Sequence, residues 1–190
     1  TLAHRNNSYI IQTMQLKTYR KMFPDSVFRK AKVSVKEWVN VSGGMFVATS
    51  SGGQVTGSGG GLMTEYKDNF YKYSGAIFID DPLKPDDAVS QIKREFVNDR
   101  WDTTIKSRTN STHTPVVVVM QRLHEVDSVR KLLSDSEYNW HVLTLPAIID
   151  DGKPTARPLF ARKPTLADLE RMRAKNKYVF VCQYMHAPSP

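Results

Sequence analysis

A single cysteine, Cys182, stands among the 190 residues. One thiol excludes an internal disulfide and any cysteine-rich zinc site, and it suits a reducing compartment. Long apolar runs are missing too. None exceeds the five residues from Val116 to Met120, against the roughly 18 that a membrane span requires. The opening residues carry no signal-peptide pattern. No G-x-x-x-x-G-K-[ST] occurs anywhere, so the lysine-bearing phosphate loop is absent. There is no internal repeat, and the one low-complexity tract is glycine-rich. The first residue is Thr rather than Met, which sets the expectation of a trimmed or partial product.

What is present begins with a hydrophobic content of 40%, enough for a real core in one domain or slightly more. The net charge of +8 is unevenly placed. Residues 1–36 carry +7, residues 153–190 carry +6, and the middle carries −5. Basic flanks around an acidic middle point to a polyanion outside and a metal site inside. Solvated helix faces are the plainer explanation of scattered Lys and Arg, and salt-sensitive nucleic-acid binding separates the two.

Local patterns then give an order of elements. Residues 8–22 have helical spacing, with Ser8 as N-cap and Phe23-Pro24 as the stop. Residues 32–41 alternate like a strand, and Ser42-Gly43-Gly44 turns the chain into a second strand over 45–49. Nine of the ten glycines lie between 43 and 75. The run Gly52 to Gly61 could bring backbone N–H groups to phosphate, although a mobile surface loop explains it better.

Ala76 to Ile79 fits a buried parallel strand, and Asp80-Asp81-Pro82 follows at its carboxyl end. A long helix starts at Pro85-Asp86-Asp87, with Val89, Ile92, Phe96, Val97 and Trp101 as its buried stripe. Arg94, Arg100 and Arg108, along it or just beyond, are expected as surface or salt-bridge residues rather than catalytic ones unless the fold brings them to a phosphate. Val116 to Met120 reads as a second buried strand, delivering Gln121-Arg122-Leu123-His124-Glu125 at its tip. A helix over 126–134, a third strand over 140–145 and a turn at 150–154 come next. Thr165 caps a helix running to about Lys175, with Leu166, Leu169 and Met172 inward. The pattern of 178–185 suits helix and strand alike, and 187–190 reads as a linker.

Strand–helix–strand spacing across 76–120 is that of a parallel βαβ unit. Ligands of open α/β sheets bind at the carboxyl ends of strands. A carboxylate there can hold Mg²⁺ beside a nucleotide phosphate, and its neighbour can orient a water. The amide and guanidinium of Gln121 and Arg122 suit phosphate oxygens. An acidic Asp-Pro turn after an ordinary strand is the bland alternative. Another has Asp80, Asp81 and Glu125 as a two-metal nuclease site. His124 and Glu125, adjacent on a turn, make a poor ligand set.

Ile77-Phe78-Ile79-Asp80-Asp81-Pro82-Leu83-Lys84, then Asp87-Ala88, Ser90 and Arg94, resembles the large terminase subunit of tailed bacteriophages. Ser107-Arg108, Val118 to Glu125, Leu145-Pro146-Ala147-Ile148 and Gln183-Tyr184 with Pro188 extend the resemblance. So do Phe23-Pro24, Trp38 and Gly53-Gln54-Val55-Thr56-Gly57 upstream. The likeness implies an α/β fold: part of an additional-strand P-loop ATPase domain with a mainly parallel central sheet flanked by helices. Residues 1–150 would be the C-terminal part of that domain, and 151–190 a subdomain or linker toward a nuclease domain.

The implied function is ATP-driven translocation of double-stranded DNA into the procapsid, with Mg²⁺ as cofactor and ATP as substrate. Asp80 resembles the Walker B aspartate on Mg²⁺. Asp81 sits where the family's catalytic carboxylate, often a longer Glu, polarises water. Gln121 and Arg122 fall in the segment coupling phosphate state to movement. Implied partners are DNA, the portal protein, the small terminase subunit and further copies in a ring, commonly a pentamer, in the host cytoplasm and at the portal vertex. Three departures stand out. Walker A is absent, so the piece alone is expected to be inactive. The nuclease acids are absent. Ser58 replaces an Arg that many relatives carry, leaving Arg94 and Arg108 as substitutes. The alternative is a non-catalytic DNA-binding or assembly module.

Overall fold

The computed structural model describes residues 1–50, 53, 57–61 and 75–188, with the side chains of 30–32 left aside. The chain is mixed α/β and divides into two compact units. The first comprises 1–75 and 108–114, the second 76–107 and 115–190.

In the first unit, helix α1 spans Leu2–Gln15 and α2 spans Lys17–Met22. Thr1, not Ser8, is the N-cap, its hydroxyl accepting from the His4 amide at 3.2 Å. The expected single helix is two, because Leu16 between them is extended (φ −62°, ψ 138°). The helical run does stop at Phe23. Strands β1 (Phe28–Val33), β2 (Glu37–Asn40) and β3 (Met45–Val47) form an antiparallel sheet in that order. The strand expected over 32–41 is broken at Ser34. Its hydroxyl accepts from the amides of Lys36 and Glu37 at 3.2 and 3.1 Å, a local bond that competes with extended pairing. The expected hairpin at 42–44 is present, with Gly43 at φ +89°. Trp38 stacks on Phe46 at 5.4 Å. Asn7, wholly buried on α1, accepts from the Trp38 indole at 2.8 Å and donates to the Val35 carbonyl at 3.0 Å. That single amide ties helix to sheet, satisfying groups that burial would otherwise penalise.

In the second unit, β4 is Ile77–Asp80. A 3₁₀ turn at Pro85–Asp87 precedes α3, Gln91–Arg100. β5, Val116–Val119, pairs parallel with β4, so the strand–helix–strand unit is observed. Neither strand is buried on both faces. Ile77, Ile79, Val116 and Val118 face inward, while Phe78 is 67% and Val119 57% exposed. The parallel sheet has two strands among the described residues.

The helix after β4 buries a different stripe from the expected one. Val89, Ile92 and Phe96 are exposed; Arg94 and Trp101 are buried and Val97 partly so. Extended Ser90 (φ −87°, ψ 117°) separates the 3₁₀ turn from α3 and resets the helical phase. Positions 94, 97, 98 and 101 then form the inward i, i+3, i+4, i+7 face. At one end the Arg94 guanidinium donates to the Ala88 carbonyl at 2.6 Å. At the other Trp101 packs against Tyr138 and Trp140, centroids 5.7 and 5.8 Å away. Burial of an indole outweighs that of smaller side chains. Arg94 is thus interior and bonded to a backbone carbonyl, where a surface or salt-bridge residue was expected.

Helix α4 is Ser128–Ser134. The third strand expected over 140–145 is absent; these residues are irregular, and Val142, Leu143 and Leu145 are exposed. Instead β6 (Ile148–Ile149) and β7 (Arg157–Pro158) pair antiparallel around the expected 150–154 turn. Helix α5, Leu166–Lys175, is capped by Thr165, as its sequence predicts, and Asp168 completes a full capping box. The ambiguous 178–185 is helical: α6 (Lys177–Val179) runs into a π turn over Phe180–Tyr184. Ile148, Leu169 and Phe180 form this region's core. Among the described residues no helix is long and apolar enough to cross a membrane.

Candidate functional site

Register brings the two strand tips together. Asp80 lies opposite Val119, and the Asp81 amide donates to the Val119 carbonyl at 2.9 Å, extending the ladder by one bond. Asp81 then turns sharply, at φ +42°. That left-handed conformation is rare outside glycine, and aspartate and asparagine tolerate it best. Below the tips, Leu83 and Ala88 from the chain after β4 pack with Leu123 from the chain after β5. The two loops are therefore held by a shared apolar cluster.

The acids are electrostatically coupled. Partial burial pushes the Asp81 carboxyl above the usual aspartate range, and the charge of Asp80 adds to the effect. A hydrogen bond from the Gln121 backbone N–H pulls the other way. Asp81 and Gln121, singled out independently in the sequence, thus lie at adjacent strand tips.

Arg122 has a different neighbour. Its Nε meets Asp127 Oδ2 at 3.0 Å, and Asp127 is wholly buried. The same carboxylate accepts from the Leu123 amide at 3.2 Å and, through Oδ1, from Val129 and Arg130 at the start of α4. One aspartate therefore caps a helix and fixes the loop carrying Gln121 and Arg122. Sequence reasoning missed Asp127. The available signal was an Asp directly before the apolar periodicity of α4, a standard N-cap position. His124 serves the turn, its Nδ1 accepting from the Val126 amide at 3.2 Å.

The donor set suits Mg²⁺, which takes one or two carboxylates, keeps several waters and binds phosphate oxygens. Asp80 and Asp81 are adjacent like charges, and a cation between them would relieve the repulsion that raises Asp81. Among the described residues no three His, Cys, Asp or Glu side chains gather as a metal set. Glu125 accordingly does not complete a two-metal site with the aspartates.

Gln54 to Thr56 and Gly52 of the glycine loop lie outside the described residues, as do Ser189 and Pro190. At its far end, Gly60 bridges in parallel to Thr109. The Gly60 amide donates to the Arg108 carbonyl at 2.8 Å, and the Gly60 carbonyl accepts from Asn110 at 2.9 Å. A Cβ on Gly61, at φ +88°, would run into Thr114 Oγ1. The Gly60 amide, at least, is already committed and not offered to a phosphate. No family model, curated protein or solved structure matches the chain.

Proposed function

We propose that the β4 and β5 tips form the Walker B side of a nucleotide-hydrolysing site in a viral genome-packaging motor of the large terminase type. The finer fold in this reading is a P-loop ATPase of the additional-strand class. The observation that carries it is the register of the two paired parallel strands, which sets Asp80 opposite Val119 and the Asp81 amide on the Val119 carbonyl, two residues before Gln121. Asp80 would hold Mg²⁺, which supplies charge neutralisation for the phosphates. Asp81 would orient the attacking water, and a partly shielded carboxyl of raised pKa accepts a proton more readily. Gln121 and Arg122 would respond to the terminal phosphate. The lysine grip on the triphosphate must come from outside these 190 residues, since no P-loop occurs in them. ATP turnover would drive double-stranded DNA into the procapsid, in a ring docked on the portal with the small subunit.

The test is DNA-stimulated ATP hydrolysis by the protein complemented with a P-loop segment. Asp80→Ala and Asp81→Asn should each lower turnover about 100-fold or more. Unchanged turnover in both removes the assignment. A second reading, a non-catalytic DNA-binding or assembly module, is favoured by the engagement of Arg122 with Asp127, which gives that guanidinium a structural role.

A further inference from the structure

Arg94 is a buried cation without a counter-ion. It is 8% exposed, and among the described residues no carboxylate pairs with it. Its guanidinium donates to the Ala88 carbonyl, a neutral acceptor, at 2.6 Å. Its Nε is buried and meets no acceptor. An exposed lysine or arginine is answered by water. A buried guanidinium is not, and it does not escape the cost by losing its proton. Arg122, more exposed than Arg94, nevertheless has the Asp127 carboxylate.

The Arg94 side chain runs back toward the start of α3, the direction in which helical side chains lean. The Ala88 that it reaches lies two residues before the N-cap, Ser90. The guanidinium is therefore held at the entrance of the helix, where the backbone is also unanswered. Helices α4 and α5 begin with Asp127 and Thr165, whose side chains accept from first-turn amides. The Ser90 hydroxyl takes no such bond, and no acid occupies the first turn of α3. Asp87, just upstream, is engaged by Lys93 at 2.5 Å. Val89 and Gln91, on either side of Ser90, are exposed, so the entrance opens to solvent. Helix N-terminal amides favour an anion, and a guanidinium fork pairs two of its oxygens. Amides, hydroxyl and fork together suit a tetrahedral oxyanion better than a planar carboxylate.

We propose that the entrance of α3 binds a phosphate-class oxyanion, held by the Arg94 fork, the Ser90 hydroxyl and the first-turn amides. The proposal goes beyond the packaging reading and uses neither aspartate of the strand tips. It is tested by calorimetric titration of the full 190-residue chain with inorganic phosphate, ionic strength being held constant with chloride. Saturable binding of one phosphate per chain is expected. Ser90→Asp builds a carboxylate into the N-cap. It should raise the melting temperature and weaken phosphate binding about 10-fold or more, the worth of one hydrogen bond to a charged group. Arg94→Met keeps an unbranched stem, removes the charge and should weaken binding at least as much. Lys153→Ala removes an exposed cation elsewhere and should leave binding unchanged. No binding up to about 10 mM phosphate, native affinity in Ser90→Asp, or an equal loss in Lys153→Ala overturns the proposal. Ser90→Asp keeps the test decisive if Arg94→Met does not fold. A parallel titration with a nucleoside monophosphate tells a free phosphate from an ester, the tighter of the two naming the source.

Discussion

Arg122 Nε and Asp127 Oδ2 meet at 3.0 Å, the guanidinium 26% exposed and the carboxylate not at all. The pair joins the loop after β5 to the first turn of α4. Any force on Arg122 therefore reaches α4 through one buried charge. In the motor reading, that is a direct path from a phosphate sensor to a helix.

Asp127→Ala should lower stability by about 3 kcal/mol or more, because removing one partner of a buried pair strands the other and unsatisfies the amides it served. Asp127→Asn keeps an acceptor for the α4 amides and should lose less, on the order of 1–2 kcal/mol. Urea denaturation of both variants measures the difference. A loss below about 1 kcal/mol in the alanine variant contradicts the bridging role.

Asp81 makes a pH prediction of defined sign. Its carboxyl is raised in the folded protein by burial and by Asp80. The folded state therefore holds its proton to higher pH than the unfolded chain does. Stability falls as pH climbs from the ordinary aspartate value through the raised one. Asp81→Asn should abolish that falling limb while tolerating the positive φ. Thermal melts of the two proteins between about pH 3.5 and 7 should diverge toward higher pH, with the variant above. Parallel curves contradict the coupling.

Asp168 should act in the opposite direction. Its carboxyl is held low first by the Thr165 hydroxyl, then by the Thr165 amide and Arg171. Its contribution is present above the ordinary aspartate value and is lost as pH falls through the depressed one. Thr165→Ala should remove about 1 kcal/mol at neutral pH and flatten this acid limb. Circular dichroism at the α5 signal, followed during an acid titration, checks both effects.

Much of the local structure was legible in the sequence because it is decided within three or four residues. The Thr165–Asp168 capping box, the glycine turn at 43 and the acids ending β4 all follow from side chains reaching their own backbone neighbourhood. Ser34 belongs to the same class, and its hydroxyl-to-amide bonds went unread only because the surrounding alternation favoured a strand. The parallel βαβ unit read from the spacing of 76–120 is observed, and its register sets the polar tips of β4 and β5 side by side.

The features determined by the sequence alone are therefore short-range: caps, turns, strand ends and the excess of positive charge in residues 1–36. Tertiary structure decided which face of α3 went inside, burying Arg94 and exposing Ile92 and Phe96, while Trp101 is buried as its sequence position suggests. It also decided that 140–145 remained irregular and that Asp127 became a buried hub. The physical reason is common to all three. Burial depends on a partner the fold brings up from afar, as Tyr138 and Trp140 reach Trp101, or on a bend that folds a near neighbour back, as with Ala88 on Arg94 and Arg122 on Asp127, and helical or strand periodicity encodes neither.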